Sequence, residues 1–277
     1  MAMKSAVTIS LVPEARGGPF VLWDDLAAGC RTAQELGFDA VEVFPPAATA
    51  VDPGQLRHLL ADHGLALAAV GTGAGWVKHK LTLALPSSEQ RQRAQDFIRG
   101  IIDFAGSCGA PAIIGSMQGR SGDGVDRGTA RSYLAEALEV LGEHARTYGV
   151  PLLYEPLNRY ETDQVNRVAD GVELLERLST RNVRLLCDLF HMNIEEADLP
   201  TALRLAGPLV GHVHFVDSNR RPVGLGHLDV GSALHALREI GYEGYLSAEA
   251  LPYPDPLTAA QQTMRALRYW EPARSGS

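Results

Sequence analysis

The sequence predicts an α/β protein, a single (β/α)8 barrel running through residues 1–277. Three observations predict it. Short apolar segments alternate eight times with longer segments of helical spacing, and regular alternation through short connections gives parallel strands joined by right-handed crossovers. The short segments are apolar throughout instead of polar at every second position, as strands buried on both faces must be. The 277 residues also fit the ~250 that a TIM barrel needs, and no linker or low-complexity stretch divides them.

Taken in order, residues 6–11 (AVTISL) form the first strand. Residues 23–36 have helical spacing at Leu26, Cys30, Ala33 and Leu36, with Gly37 as the stop. Strand two is 40–44, closed by Pro45-Pro46. Asp52 caps and Pro53 starts the next helix, which runs to His63-Gly64. Strand three, 65–70, ends in GTGAG. Ser88 caps a helix over 89–107, and strand four follows at 112–114 with Gly115-Ser116 at its end. The four glycines and two aspartates of 117–128 predict a mobile loop. A helix over 128–148 stops at Gly149. Then come strand five (150–153), a helix (168–178), strand six (183–188), a short helix (201–206), strand seven (210–215), a helix (231–240), strand eight (244–249) and a closing helix (256–269). The final ARSGS reads as a frayed tail.

The net charge is −8, from 25 basic and 33 acidic residues, and no basic stripe is present. Nucleic acid and anionic membranes are therefore poor partners. No window approaches ~18 uninterrupted apolar residues, so no transmembrane helix is expected. Pro13, Glu14 and Arg16 interrupt the N-terminal apolar run, which leaves no signal peptide. The three scattered cysteines, Cys30, Cys108 and Cys187, fit core thiols in a reducing compartment, and a cytoplasmic protein is expected.

The ends of the last four strands carry the chemistry. Strand five runs into Glu155 and is broken at Pro156, with Glu161 in the loop beyond. Strand six ends on Asp188, strand seven runs into His214, and strand eight ends on Glu249. Function in a barrel sits at the C-terminal ends of the strands. Any one of these carboxylates can simply cap the next helix or pair with a cation. Four polar groups in one mouth would repel or go unsatisfied, and a divalent cation satisfies them together. Three carboxylates and an imidazole suit Mn2+, Co2+ or Mg2+. His212 shares a face with His214, so either can be the ligand. His214 lies nearer the loop and is preferred; His212 reads as packed lower in the barrel. His191 follows Asp188 by three and Arg220 follows His214 by six, as site residues or as a loop histidine and a solvated arginine. Trp76, after strand three, is a substrate wall or a tryptophan packed on a helix.

EPLNRYE at 155–161, the D-x-x-H of Asp188–His191, the H-x-H of His212–His214 and GLGHLDVGSALHALREIGYEGYLSAE at 224–249 resemble the sugar isomerase/epimerase superfamily of xylose-isomerase-like TIM barrels. Within it they are most similar to the ketose 3-epimerases of the D-tagatose, D-psicose and L-ribulose group. The motif resemblance is strong from Val150 to Glu249 and weaker before. It implies a divalent metal, Mn2+ first and Co2+, Mg2+ or Zn2+ as alternatives, held by Glu155, Asp188, His214 and Glu249. It implies that Glu155 and Glu249 are also the catalytic acid/base pair, and that Glu161, His191 and Arg220 contact substrate hydroxyls. The partner it implies is a small sugar, in a homodimer or homotetramer.

The chemistry is consistent with that pattern. A hydrogen beside a ketone is a very weak acid, and its removal needs a polarised carbonyl and a stabilised enediolate. Inverting C3 of a ketose then needs a base on one face and an acid on the other. Aldose–ketose, inosose and hydroxypyruvate isomerases would use the same four ligands, as would dehydratase and C-glycoside-cleaving relatives, but the NRYE run suits the epimerases. A metal-dependent abasic-site endonuclease needs extra histidines at the ends of strands three and four, where this chain reads VGTG and IGS. Backbone donors in the Gly224–Gly231 loop keep phosphorylated ketoses open as substrates.

Overall fold

The computed structural model describes residues 3–271, so the ARSGS tail lies outside the described residues. Strand β1 (Lys4–Ser10) leads through a 3-10 turn to β2 (Leu22–Trp23). Helix α1 (Leu26–Leu36) starts three residues later than its apolar spacing predicts, because the Asp25 carboxylate accepts from Ala28 N–H and fixes the N-cap there. Then come β3 (Ala40–Phe44), α2 (Pro53–Asp62), β4 (Ala66–Gly71), α3 (Ala74–Val77) and α4 (Ser88–Ser107). The cap of α4 is Ser87, one residue before the expected Ser88. The second half contains β5 (Ala112–Ile114), α5 (Arg127–Arg146), β6 (Leu152–Tyr154), α6 (Val168–Arg177), β7 (Val183–Asp188), α7 (Leu189–Glu195), α8 (Leu199–Ala206), β8 (Val210–His214), α9 (Val230–Glu239), β9 (Tyr245–Ala248) and α10 (Pro256–Trp270).

All strand pairs are parallel, in the order β1-β3-β4-β5-β6-β7-β8-β9, and β9 pairs back onto β1. Eight strands thus close into a (β/α)8 TIM barrel. The ninth, β2, pairs with Ile9 and Ser10, beyond the stretch of β1 (Lys4–Val7) that β9 covers. It takes over the ladder where the stagger of the barrel leaves β1 without a neighbour. Two residues are too short to announce themselves by periodicity, and the sequence reading places none there.

The main core lies between strands and helices, from residues such as Val7, Ile9, Ile98, Leu134, Leu185 and Leu267. Smaller clusters of Ala69, Ile113, Leu153 and Leu186, and of Ala6, Ala40 and Ala68 against Tyr245, fill the inside of the barrel in layers. Aspartates cap α1, α2, α5, α7, α8, α9 and α10, each with a side-chain oxygen on a first-turn N–H. Each such cap is worth about 1 kcal/mol. The 117–128 loop is tethered, with Ser121 donating to Asp163 and a bridge between Gly122 and Val125.

Two register shifts position the site. Val41 pairs with Leu67 but Glu42 pairs with Ala69, so Ala68 is the extra residue of a bulge in β4. Leu185 pairs with Val210 but Leu186 with His212, so Gly211 is the extra residue in β8. A bulge re-aims the side chains on either side of it. The one in β8 directly precedes His212 and His214, which meet the Glu42 carboxylate of β3 inside the barrel.

Candidate active site

Four side chains meet at the C-terminal mouth. One donor atom each from Glu155, Asp188, His214 and Glu249 lie within 4.8 Å of one another, and all four residues are buried. The centre of the group is His214 Nδ1, 3.1 Å from Asp188 Oδ2 and 3.5 Å from both Glu155 Oε1 and Glu249 Oε2. Each residue arrives for a local reason. Glu155 follows β6 directly, its N–H closing the ladder on Ile114 O at 3.0 Å before Pro156 ends the strand. Asp188 does both things open to a strand-end carboxylate. Its Oδ1 caps α7 through Phe190 N–H (2.7 Å) and His191 N–H (3.1 Å), which leaves Oδ2 for the cluster. Gly115 leaves space beside Glu155, since a Cβ there would collide with Glu155 Oε2.

The electrostatics call for a cation. Glu155 Oε1 is buried with no hydrogen-bond partner, which is costly for a carboxylate oxygen. Burial pushes the Glu249 carboxyl up to about 8, with Glu155 and Asp188 adding to the effect and His214 and Arg220 opposing it. Burial works against a charged His214, but Glu249, Glu42 and Asp188 outweigh it and hold the imidazole well above its usual range. In place of a cation the cluster keeps protons on Glu249 and His214. Hard oxygen donors and one imidazole, one oxygen of them orphaned, fit a divalent metal.

The expected substrate contacts gather at the same mouth. His191 Nδ1 faces two donors of Asn158, the side-chain amide at 2.7 Å and the backbone N–H at 3.3 Å. Nδ1 is thus the acceptor, and the ring proton sits on Nε2, 3.9 Å from Glu155 Oε1. Arg220 reaches Glu161 Oε1 at 3.1 Å and Glu249 Oε2 at 3.3 Å, stacks over Phe190, and leaves its buried Nε without a partner. Its φ is +60°, a left-handed conformation that costs a non-glycine residue energy and that is held by the turn from Asp217. Trp76 is 41% exposed at the rim, with Lys80 over its ring, and lines the same cavity.

That cavity measures about 330 Å3 and is lined by Glu155, Glu161, His191, Arg220, Glu249 and Trp76, together with Phe20, Phe44, Thr72, Val77 and Ser116. Its cations are already engaged. Arg16 is paired with Asp24 and stacked on Trp23, and Arg220 is held by two glutamates. The Gly-rich loop spends two of its backbone donors internally. Its N–H groups at Gly224 and Leu228 donate to Asp217, at 2.8 and 3.0 Å, so an internal carboxylate occupies the anion site.

Sequence reasoning missed Glu42. It lies at the centre of β3, fully buried, with Oε2 2.6 Å from His212 Nε2 and Oε1 3.1 Å from His214 Nε2. The signal was present: a lone carboxylate inside AVEVF, an otherwise apolar strand. His212 is packed below His214, as expected, and bonds this carboxylate. Sequence reasoning also missed Gln118, whose side chain accepts from Tyr154 Oη (2.8 Å) and donates to Glu155 O (3.0 Å), bracing β6 from behind. Cys30 and Cys187 are buried as expected, with burial first among the causes that push their thiols up to about 11 and about 12; Cys108 is half-buried.

Residues 30–270 match the family model described as a xylose isomerase-like TIM barrel. The chain belongs to that family. Among its relatives, an L-ribulose 3-epimerase of Mesorhizobium japonicum is 30% identical over 230 residues, 82% of this chain and 75% of that one. A D-psicose 3-epimerase of Agrobacterium fabrum is 30% identical over 242 residues, 85% of this chain and 79% of that one. A 3-dehydro-D-guloside 4-epimerase of Escherichia coli is 34% identical over 139 residues, covering 50% of this chain and 53% of that one. A solved L-ribulose 3-epimerase superposes with a TM-score of 0.81 at 25% identity, covering 98% of this chain and 96% of that one. This xylose isomerase-like barrel is an isomerase-class enzyme, ketose 3-epimerase-like. No helix among its described residues is long and apolar enough to cross a membrane.

Proposed function

We propose that this xylose isomerase-like barrel is a metal-dependent epimerase that inverts C3 of an unphosphorylated ketose through an enediolate. The observation that carries the reading is the presence of Glu155 and Glu249 in one cavity, both 3.5 Å from His214 Nδ1. Glu155, Asp188, His214 and Glu249 would hold the cation, Mn2+ by their donor set. When bound, it supplies Lewis-acid polarisation of the ketone and positive charge for the enediolate.

The chain's own residues do the rest. Glu155 and Glu249 arrive from β6 and β9, two different sides of the barrel mouth. One takes the C3 proton and the other returns a proton to the opposite face, with the roles exchanged in the reverse direction. The His191 Nε2–H and the Arg220 guanidinium point donors at the same space and orient substrate oxygens. Glu161 holds Arg220, and Trp76 and Phe44 give the sugar an apolar wall. The engaged cations and the filled Asp217 loop favour a neutral substrate over a sugar phosphate.

A second reading is favoured by the Escherichia coli relative: inversion at C4 of a 3-keto glycoside. The chemistry is the same, a proton on the carbon beside a ketone, and only the substrate differs. Both readings expect a homodimer or homotetramer in the cytoplasm. The test is a panel of free ketoses, ketose phosphates and keto-glycosides incubated in D2O with Mn2+. Deuterium at C3 of a free ketose is the expected result, and label at C4 of a glycoside selects the second reading. Label at C1 only would make the protein an aldose–ketose isomerase, and full activity after chelation would remove the metal from the reaction.

A further inference from the structure

We propose that Glu42 is the positioning residue of the metal centre: its carboxylate binds the Nε2–H of both His212 and His214, so that His214 turns a fixed lone pair on Nδ1 toward Glu155, Asp188 and Glu249. The inference rests on the reading of those four residues as a cation site. An imidazole has two nitrogens, and here each has its own surroundings. Nε2 of His214 lies 3.1 Å from Glu42 Oε1, and Nδ1 lies 3.1 to 3.5 Å from the three cluster carboxylates. A carboxylate accepts and cannot donate, so Glu42 holds a proton on Nε2; Asp188 does the same at Nδ1 until a cation takes that place, and Nδ1 is then the nitrogen that ligates. A carboxylate behind a ligating histidine sets its tautomer, fixes its ring plane and raises its basicity.

Glu42 is built for this and for no other visible purpose. It is fully buried, and both of its oxygens are occupied by the two imidazoles. The second bond, 2.6 Å to His212, pins the carboxylate so that it cannot rotate away from His214. His212 in turn packs edge-on to His214, with ring centroids 5.6 Å apart. The bulge at Gly211 directly precedes both histidines in β8, and Glu42 faces them from β3. Glu42, His212 and His214 also lie close enough to hold a metal of their own. Their hydrogen bonds already satisfy one another, however, and His214 cannot ligate through Nε2 while that nitrogen carries a proton.

The test is Mn2+ titration calorimetry on the whole protein, wild type against Glu42→Gln and His212→Asn, together with melting of the metal-free forms. Wild type binds one Mn2+ per chain. Glu42→Gln keeps the shape but offers one imidazole an amide donor, and its Kd rises about 10- to 100-fold. His212→Asn keeps the His214 bond and loses only the pin, so its Kd rises less. Zn2+-loaded wild type shows the His214 proton on Nε2 in long-range 15N–1H spectra, and Glu42→Gln shows a mixture. An unchanged Kd in Glu42→Gln, with whatever change in melting, means a merely structural role and overturns the inference while the metal reading stands. Two Mn2+ per chain overturns it as well. Wild type that binds no Mn2+ removes both. Should Glu42→Gln fail to fold, Glu42→Asp, which is one methylene short, is expected to weaken Mn2+ by at least about 5-fold, and an unchanged Kd there overturns the inference equally.

Discussion

Glu155 Oε1 lies 3.5 Å from His214 Nδ1, is buried, and accepts no hydrogen bond. A carboxylate oxygen left in this state destabilises the metal-free fold. Glu155→Gln removes the charge, so the metal-free variant is expected to melt higher, by about 1 kcal/mol or roughly 2–4 °C. Turnover at saturating Mn2+ is expected to fall by about 10²- to 10⁴-fold. Differential scanning calorimetry and C3 deuterium exchange check the two halves. A variant that melts lower and epimerises normally would refute both.

Metal-free stability is expected to fall as pH rises. The Glu249 carboxyl goes from an ordinary 4.5 to about 8, mainly through burial. The folded protein therefore keeps a proton that the unfolded chain gives up. The stability from this group is full below 4.5 and is lost as pH rises toward about 8. His214, also raised, acts in the same direction. The melting temperature of chelator-treated protein should drop between pH 5 and 9, with a shallower slope in Glu249→Gln. Mn2+ at about 100 times its Kd should restore about 2.7 kcal/mol and release protons as it binds. A flat metal-free profile in wild type would refute this account.

Gly115→Ala tests the space beside the cluster. The new methyl collides with Glu155 Oε2 and displaces the carboxylate from its present position. Mn2+ affinity is expected to fall at least about 10-fold while circular dichroism stays native. Unaltered binding would mean that the Glu155 side chain has other positions from which to ligate.

Arg220 and Trp76 separate a buried polar contact from an apolar wall. Loss of a hydrogen bond from a charged donor costs about 1.5–3 kcal/mol, so Arg220→Ala is expected to raise KM about 10- to 150-fold. Trp76→Ala, at the 41% exposed rim, is expected to raise it less than about 10-fold. The reverse order in steady-state kinetics would make the rim, not the floor, the main grip on substrate.

The barrel was legible because burial on both faces leaves a plain mark: each of the eight closing strands follows an apolar run in the sequence. The boundaries that shifted, at Leu26 and Ser87, shifted because a side-chain cap decides a helix start more sharply than spacing does. Glu155, Asp188, His214 and Glu249 were legible as a set because each ends a strand in the same sense. Glu42 was not, since its partners lie 170 and 172 residues away and its strand otherwise gives no sign of polarity. The role of Asp217 was hidden for a related reason. A glycine-rich loop looks the same whether its amides face an incoming anion or one of the chain's own.

Gly211 has a mechanical consequence. It is the odd residue in β8, inserted between Val210 on the outer face and His212 on the inner one. A Cβ there would strike Arg184 Cβ at 2.5 Å and Leu153 Cδ2 at 2.9 Å. The extra link enters the strand only because it brings no side chain with it, so the imidazole edge of this barrel depends on a residue that contributes nothing but backbone.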